Sequence, residues 1–239
     1  MKIYQTLITT AVVGHAILIS IPAKGLVFTQ WDFNNSNLTP NIGVGTASHV
    51  GGTATRGFNS GAGSTDPNSV NFAWNTNNYP TQGTNNKTAG VQFSTSTVGF
   101  ENIIINWDQR NSATASAYTQ FQYSVDGINF VDSGSPLQAG GNSSFNNSNS
   151  IDLSSITNVN NNPNFSFRLV SAFDPNNNTS YTATNNASTY RTVGTWRFDM
   201  VTINGDVSAT PVPFNIPGGS TIPTFGSLLV LGIIRKAVQ

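Results

Sequence analysis

The chain has 239 residues, a formal net charge of zero and charged side chains at only 8% of positions, so no basic surface gathers phosphates and nucleic acid is excluded as a partner. It contains no cysteine, which removes disulfide staples, thiolate metal sites and cysteine nucleophiles. Glu101 is its only glutamate while Asn, Ser, Thr and Gly abound; that is a composition of strands and turns, and a 37% hydrophobic content suffices for one core.

From the N-terminus, Lys2 and the apolar run from Leu7 to Ile21 precede Pro22 and the small-residue stretch Ala23-Lys24-Gly25. A positive start, an apolar segment too short for a membrane span and small residues before a cut site predict a signal peptide over residues 1–25, cleaved after Ala23 or Gly25. His15 lies inside it and is expected to be discarded with it.

Residues 26–207 form the body. Short alternating segments separated by Asn, Gly and Ser clusters predict roughly seven to nine strands in an all-β, two-sheet antiparallel sandwich of jelly-roll type. A first strand runs from Val27 to Phe33. Phe100 to Asp108 puts Ile103, Ile105 and Trp107 on one face against Asn102, Asn106 and Asp108 on the other. Next, Asp126-Gly127 sits between two alternating runs as a type I′ turn would, with Val125 facing Ile128 and Tyr123 facing Phe130. Phe165, Phe167 and Leu169 alternate with Ser166 and Arg168, and the last strand, Gly194 to Ile203, is expected to pair with the first, leaving fewer exposed edges. The Asn-rich stretches 34–66, 75–86, 140–150, 158–164 and 176–188 are expected to be loops, long enough to form a functional rim.

Pro211, Pro213 and Pro217 with Gly218-Gly219-Ser220 predict an extended linker over 208–221. Residues 222–239 then read as a short apolar helix from Ile222 to Ile234 closed by Arg235-Lys236, the basic pair staying cytoplasmic and the body outside. Proline-rich linker, short apolar segment and terminal basic pair together resemble the PEP-CTERM sorting tails of exported bacterial proteins. The resemblance implies a sorting protease of the exosortase type as partner and a membrane-held tail before processing, with Pro211 and Pro213 at the motif and Arg235 and Lys236 at the stop. The motif stretch reads Pro211-Val212-Pro213 and lacks the glutamate of Pro-Glu-Pro. The body segments Ile105 to Arg110, Tyr123 to Gly127, Phe167 to Asp174 and Gly194 to Asp199 resemble β-rich regions of other exported proteins with such tails, which implies class and no chemistry.

Catalytic machinery is sparse. A glycosidase needs two flanking carboxylates, which one glutamate cannot supply, and a serine nucleophile needs a histidine base, for which the mature body offers His49 alone, read as a loop histidine. Asp108 and Arg110 share a strand face and are read as a surface ion pair. Asp32, Asp174 and Asp199 are the oxygen ligands that Ca²⁺ would favour, an arrangement that resembles many carbohydrate-binding sandwiches; otherwise they are strand-end aspartates meeting backbone amides. Trp74, Tyr79, Tyr118, Tyr181 and Tyr190, in or beside loops, are the rings that a sugar would stack on, unless the core takes them. The expected function is an exported, non-catalytic surface or matrix protein. The alternative is a calcium-stabilised module binding exopolysaccharide, and a glycan-active hydrolase ranks below both.

Overall fold

The computed structural model describes residues 25–208. The predicted signal peptide and tail, with His15, Pro211, Pro213, Arg235 and Lys236, lie outside the described residues.

Alternation of apolar and polar side chains builds twelve strands: β1 Leu26–Trp31, β2 Thr46–Val50, β3 Ala54–Ser60, β4 Phe72–Asn77, β5 Gly90–Ser94, β6 Phe100–Asn111, β7 Tyr118–Ser124, β8 Val131–Asp132, β9 Gly141–Asn142, β10 Phe145–Asp152, β11 Ser166–Ala172 and β12 Trp196–Val207. Sheet A runs β10-β6-β12-β4-β3, with β1 sharing the β4 side of β12 and the two-residue β9 parallel to β6. Sheet B runs β2-β5-β11-β7-β8. The fold is a two-sheet, all-β sandwich of jelly-roll type.

The core lies between the sheets. Ile103, Ile105 and Trp107 point inward from β6 and are essentially fully buried, as are Phe167 and Leu169 from β11. Aromatic rings line sheet B's inner face and reach across to sheet A: Phe93 stacks on Phe167 at 5.0 Å and Phe167 on Phe121 at 5.5 Å within sheet B, and Phe121 meets Trp107 of β6 across the layers at 6.1 Å. All four tryptophans are buried. Each such side chain removed from water contributes roughly 1.5–3 kcal/mol. The first and last strands pair as expected, from Leu26 opposite Gly205 to Trp31 opposite Val201.

Two expectations are corrected. The stretches read as loops hold strands: 34–66 contains β2 and β3, 75–86 begins with the end of β4, and 140–150 contains β9 and most of β10. The amides that signal turns here support an edge strand, because Asn149 Nδ2 lies 3.1, 2.9 and 3.0 Å from the carbonyl oxygens of Trp107, Ala139 and Asn146 across the β10 bulge. The Asp-Gly hairpin is also slipped by one residue, placing Tyr123 opposite Val131. The Asp126 carboxylate accepts from Ile128 N, Asn129 N and Asn129 Nδ2 at 2.8, 2.7 and 2.6 Å, which closes a wider turn with Gly127 at φ +75°. A one-residue slip reverses facing, so Phe130 leaves Tyr123 and lies against the Arg168 guanidinium, 3.5 Å from its ring centre.

Candidate functional site

The proposed stacking rings are mostly core. Trp74, Tyr79, Tyr181 and Tyr190 are 0%, 4%, 2% and 7% exposed. Their polar ends find partners inside: Tyr79 Oη pairs with Thr76 Oγ1 at 2.7 Å, Tyr190 Oη donates to Pro80 O at 2.7 Å, and Tyr181 Oη reaches the carbonyls of Thr84 and Asn85 at 3.0 Å. Burial pushes all three phenols up from their ordinary range. An aromatic ring in this position contributes packing, and no sugar reaches its face. Tyr118 is half-buried, its hydroxyl accepting from Gln138 Nε2 at 3.3 Å.

His49 sits on β2 and is part of a relay. Trp74 Nε1 donates to Thr55 Oγ1 at 2.8 Å, which leaves that hydroxyl to donate to His49 Nε2 at 2.8 Å. Thr53 Oγ1 donates to Gly90 O at 2.6 Å and so accepts from His49 Nδ1 at 3.2 Å. Both ring nitrogens are committed, burial lowers the imidazole pKa, and the ring meets Trp74 edge-on at 5.0 Å. The sequence-based reading of a loop histidine is corrected to a strand histidine that orients Trp74.

Asp32, Asp174 and Asp199 are not brought together. Asp32 accepts from Asn34 N at 3.1 Å, and Asp174 from Asn176 N at 2.9 Å and Thr182 Oγ1 at 3.0 Å, the Asn176 amide first among the bonds that hold its pKa down. Among the described residues no group of three His, Asp or Glu side chains is placed to share a metal ion. Asp199 lies elsewhere, on the outer side of sheet A beneath the β3–β4 loop, directly opposite Asp108 of β6. Its Oδ1 accepts from Met200 N at 2.8 Å, while Oδ2 is buried without a partner, as is Asn71 Oδ1. These two oxygens converge on Gly61: a side chain there would collide with Asn71 Oδ1 and lie 2.6 Å from Asp199 Oδ2. Burial first, with Asp66 and Asp108 adding repulsion, pushes the Asp199 carboxyl up to about 8. Asp108 Oδ2 accepts from Thr65 N and Oγ1 at 2.6 and 2.7 Å, and burial is the main cause raising its pKa. The Asp108–Arg110 ion pair expected from their spacing is absent, because Asp108 turns to Thr65.

The surface concavity lies at one end of the sandwich, where the starts of β1, β2 and β6 meet the ends of β5 and the β7–β8 turn. A hollow of about 520 Å³ has Phe28, Phe100 and Val44 as apolar lining and Ser94, Ser96, Ser166 and Asn164 as polar lining. The Phe28 and Phe100 rings stack at 4.1 Å with 13° between planes. The β1 register shift between Val27 and Thr29 places Phe28 at an irregularity of the strand, where it is only half-buried. A second hollow of about 460 Å³, lined by Val125 and the asparagines of 158–164, shares Pro163 and Asn164 with the first, so the two adjoin there and are together called the trough. Asn162 braces this wall by donating to Val125 O and Asn158 O at 2.9 and 2.8 Å. Asn160 also lines the second hollow, with its Oδ1 turned away from solvent, buried and without a partner. Sequence reasoning missed Phe28 and Phe100 because both fall on ordinary strand alternation. The 158–164 asparagine run was the legible signal.

No family model and no curated protein matches the chain. Among solved structures it is similar to the CBM22-1 xylan-binding domain of Paenibacillus barcinonensis Xyn10C, at 13% identity and a TM-score of 0.45, covering 78% of this chain and 97% of that one. It is similar to the CBM22-1-CBM22-2 tandem domain of the same protein at 12% identity and TM-score 0.44, covering 78% of this chain and 51% of the tandem. The K1 cleaved adhesin domain of Lys-gingipain from Porphyromonas gingivalis W83 is similar at 11% identity and TM-score 0.33, covering 69% of this chain and 99% of that one.

Proposed function

We propose that this chain is an exported, non-catalytic β-sandwich protein of the cell surface or extracellular matrix, and that its end trough binds an extracellular polysaccharide. The observation that supports the binding reading is the trough itself. A half-buried aromatic pair lines one hollow and the asparagine side chains of 158–164 the next, which suits the apolar faces and hydroxyl edges of successive sugar rings. The non-catalytic reading is supported by what the acid and base groups already do. Glu101 is the sole glutamate, His49 is committed at both nitrogens, and the opposed Asp108 and Asp199 lie under the β3–β4 loop with Asp199 fully buried.

The purified protein, applied to an array of neutral and acidic polysaccharides that includes xylan, is expected to retain at least one glycan intact, with Phe100→Ala cutting retention about tenfold, a loss of about 1.4 kcal/mol. Release of shortened fragments, abolished by Asp108→Asn in a folded variant, would establish a hydrolase instead.

A further inference from the structure

On the outer side of sheet A, one row along from the two aspartates, Arg110 of β6 and Arg197 of β12 are direct register partners. Like charges placed directly opposite across an antiparallel pair repel, and an anion between them would relieve that repulsion. No carboxylate does so here: among the described residues the single ion pair is Lys87–Asp132 at 2.7 Å. Arg56 on β3 adds a third positive charge, and Arg197 has its pKa lowered first by burial and then by Arg110 and Arg56. Asp108 and Asp199, which strand spacing would offer as counterions, are engaged by Thr65 and Met200. Arg197 Nη1 donates only to Ser60 O, at 3.2 Å.

The two arginines line a recess of about 100 Å³ with Ser112, Ser143 and Thr195. The backbone around it is pinned, Ser112 N donating to Thr195 O at 2.9 Å and Thr195 N to Ser112 Oγ at 2.8 Å, so the recess is preformed. Two guanidinium groups line one recess with hydroxyls beside them and share a single acceptor in the chain, Ser60 O, and planar guanidinium forks match the oxygens of sulfate, phosphate or carboxylate.

We propose that Arg110 and Arg197 form a binding site for a single oxyanion group, sulfate- or carboxylate-type, carried by an acidic polysaccharide or free in solution. The site stands independently of the trough, which lies at the end of the sandwich and has a different lining.

The test is thermal unfolding of the full chain in low-millimolar sodium sulfate against sodium chloride of equal ionic strength, for the natural protein and for Arg110→Gln and Arg197→Gln. At tenfold excess over its dissociation constant, sulfate is expected to raise the midpoint of the natural protein by roughly 3 to 6 °C beyond chloride, and to lose that increment in both variants. In chloride alone Arg110→Gln is expected to melt no lower than the natural protein, since it removes repulsion. Repeating the titration with a glucuronate-bearing polysaccharide and with neutral xylan separates the sources: a shift with the acidic polymer alone assigns a glycan carboxylate, and a shift with sulfate alone assigns a free oxyanion. Equal midpoints in chloride, in sulfate and in the acidic polysaccharide alike, or variants that respond as the natural protein does, would overturn the site.

Discussion

Asp199 shows what one residue costs and supplies in this fold. Its carboxyl is raised from 3.8 to about 8, first by burial, so the folded state favours the protonated form, which leaves no unpaired charge beside the orphaned Asn71 Oδ1. The stabilisation is fully present below pH 3.8 and is lost as pH rises through about 8, with a slope of at most about 1.4 kcal/mol per pH unit. His49 acts in the opposite sense: its pKa is lowered, so the neutral ring is favoured and stability falls as pH drops below 6.5. Thermal midpoints across pH 5 to 9 should therefore decline toward the alkaline end. Asp199→Asn, a neutral isostere able to donate from Nδ2, should flatten that decline; an unchanged slope would remove Asp199 from the account. Gly61→Ala should lower the midpoint at every pH, because its methyl would occupy the space of Asn71 Oδ1.

At the scale of elements, asparagine decides where sequence and structure part. The alternation in β6, β7, β11 and β12 was legible because each strand buries one apolar face. β2, β3 and β10 were not, since their mostly exposed or half-exposed faces carry Ser, Thr, Asn and Gly that read as turns, and only pairing to a neighbour makes them strands. The hairpin slip has the same origin. Asp-Gly signals a two-residue turn, and the competing signal was the Asn129 amide and backbone nitrogen, which draw Asp126 into a longer one. If Asn149 braces β10, Asn149→Ala should cost about 1–3 kcal/mol and lower the midpoint by several degrees, with amide exchange accelerated in 145–152 ahead of β6. Uniform acceleration of both strands would show that β10 is not a separate unit. The candidate rings failed for a related reason: Trp74, Tyr79, Tyr181 and Tyr190 neighbour amide-rich segments in sequence, yet those segments fold over them and complete the core.

Across the whole molecule, the opposed charges and the trough occupy different surfaces. Sheet A carries a pair of opposed arginines beside a pair of opposed aspartates on its outer side, while the trough at the sandwich end is built from rings, hydroxyls and amides with the Asp126 carboxylate beside them. Export is expected to leave Lys24 or Leu26 as the mature N-terminus, which N-terminal sequencing of the native protein checks; an intact Met1 would contradict it. The most direct test of the central claim is calorimetric titration of whichever polysaccharide the array retains into the natural protein, Phe28→Ala, Asn160→Ala and, as a surface control away from the trough, Arg191→Gln. If the trough is the binding surface, the first two variants lose affinity about tenfold with their folding intact and the control binds as the natural protein does. Unchanged affinity in both Phe28→Ala and Asn160→Ala would contradict it.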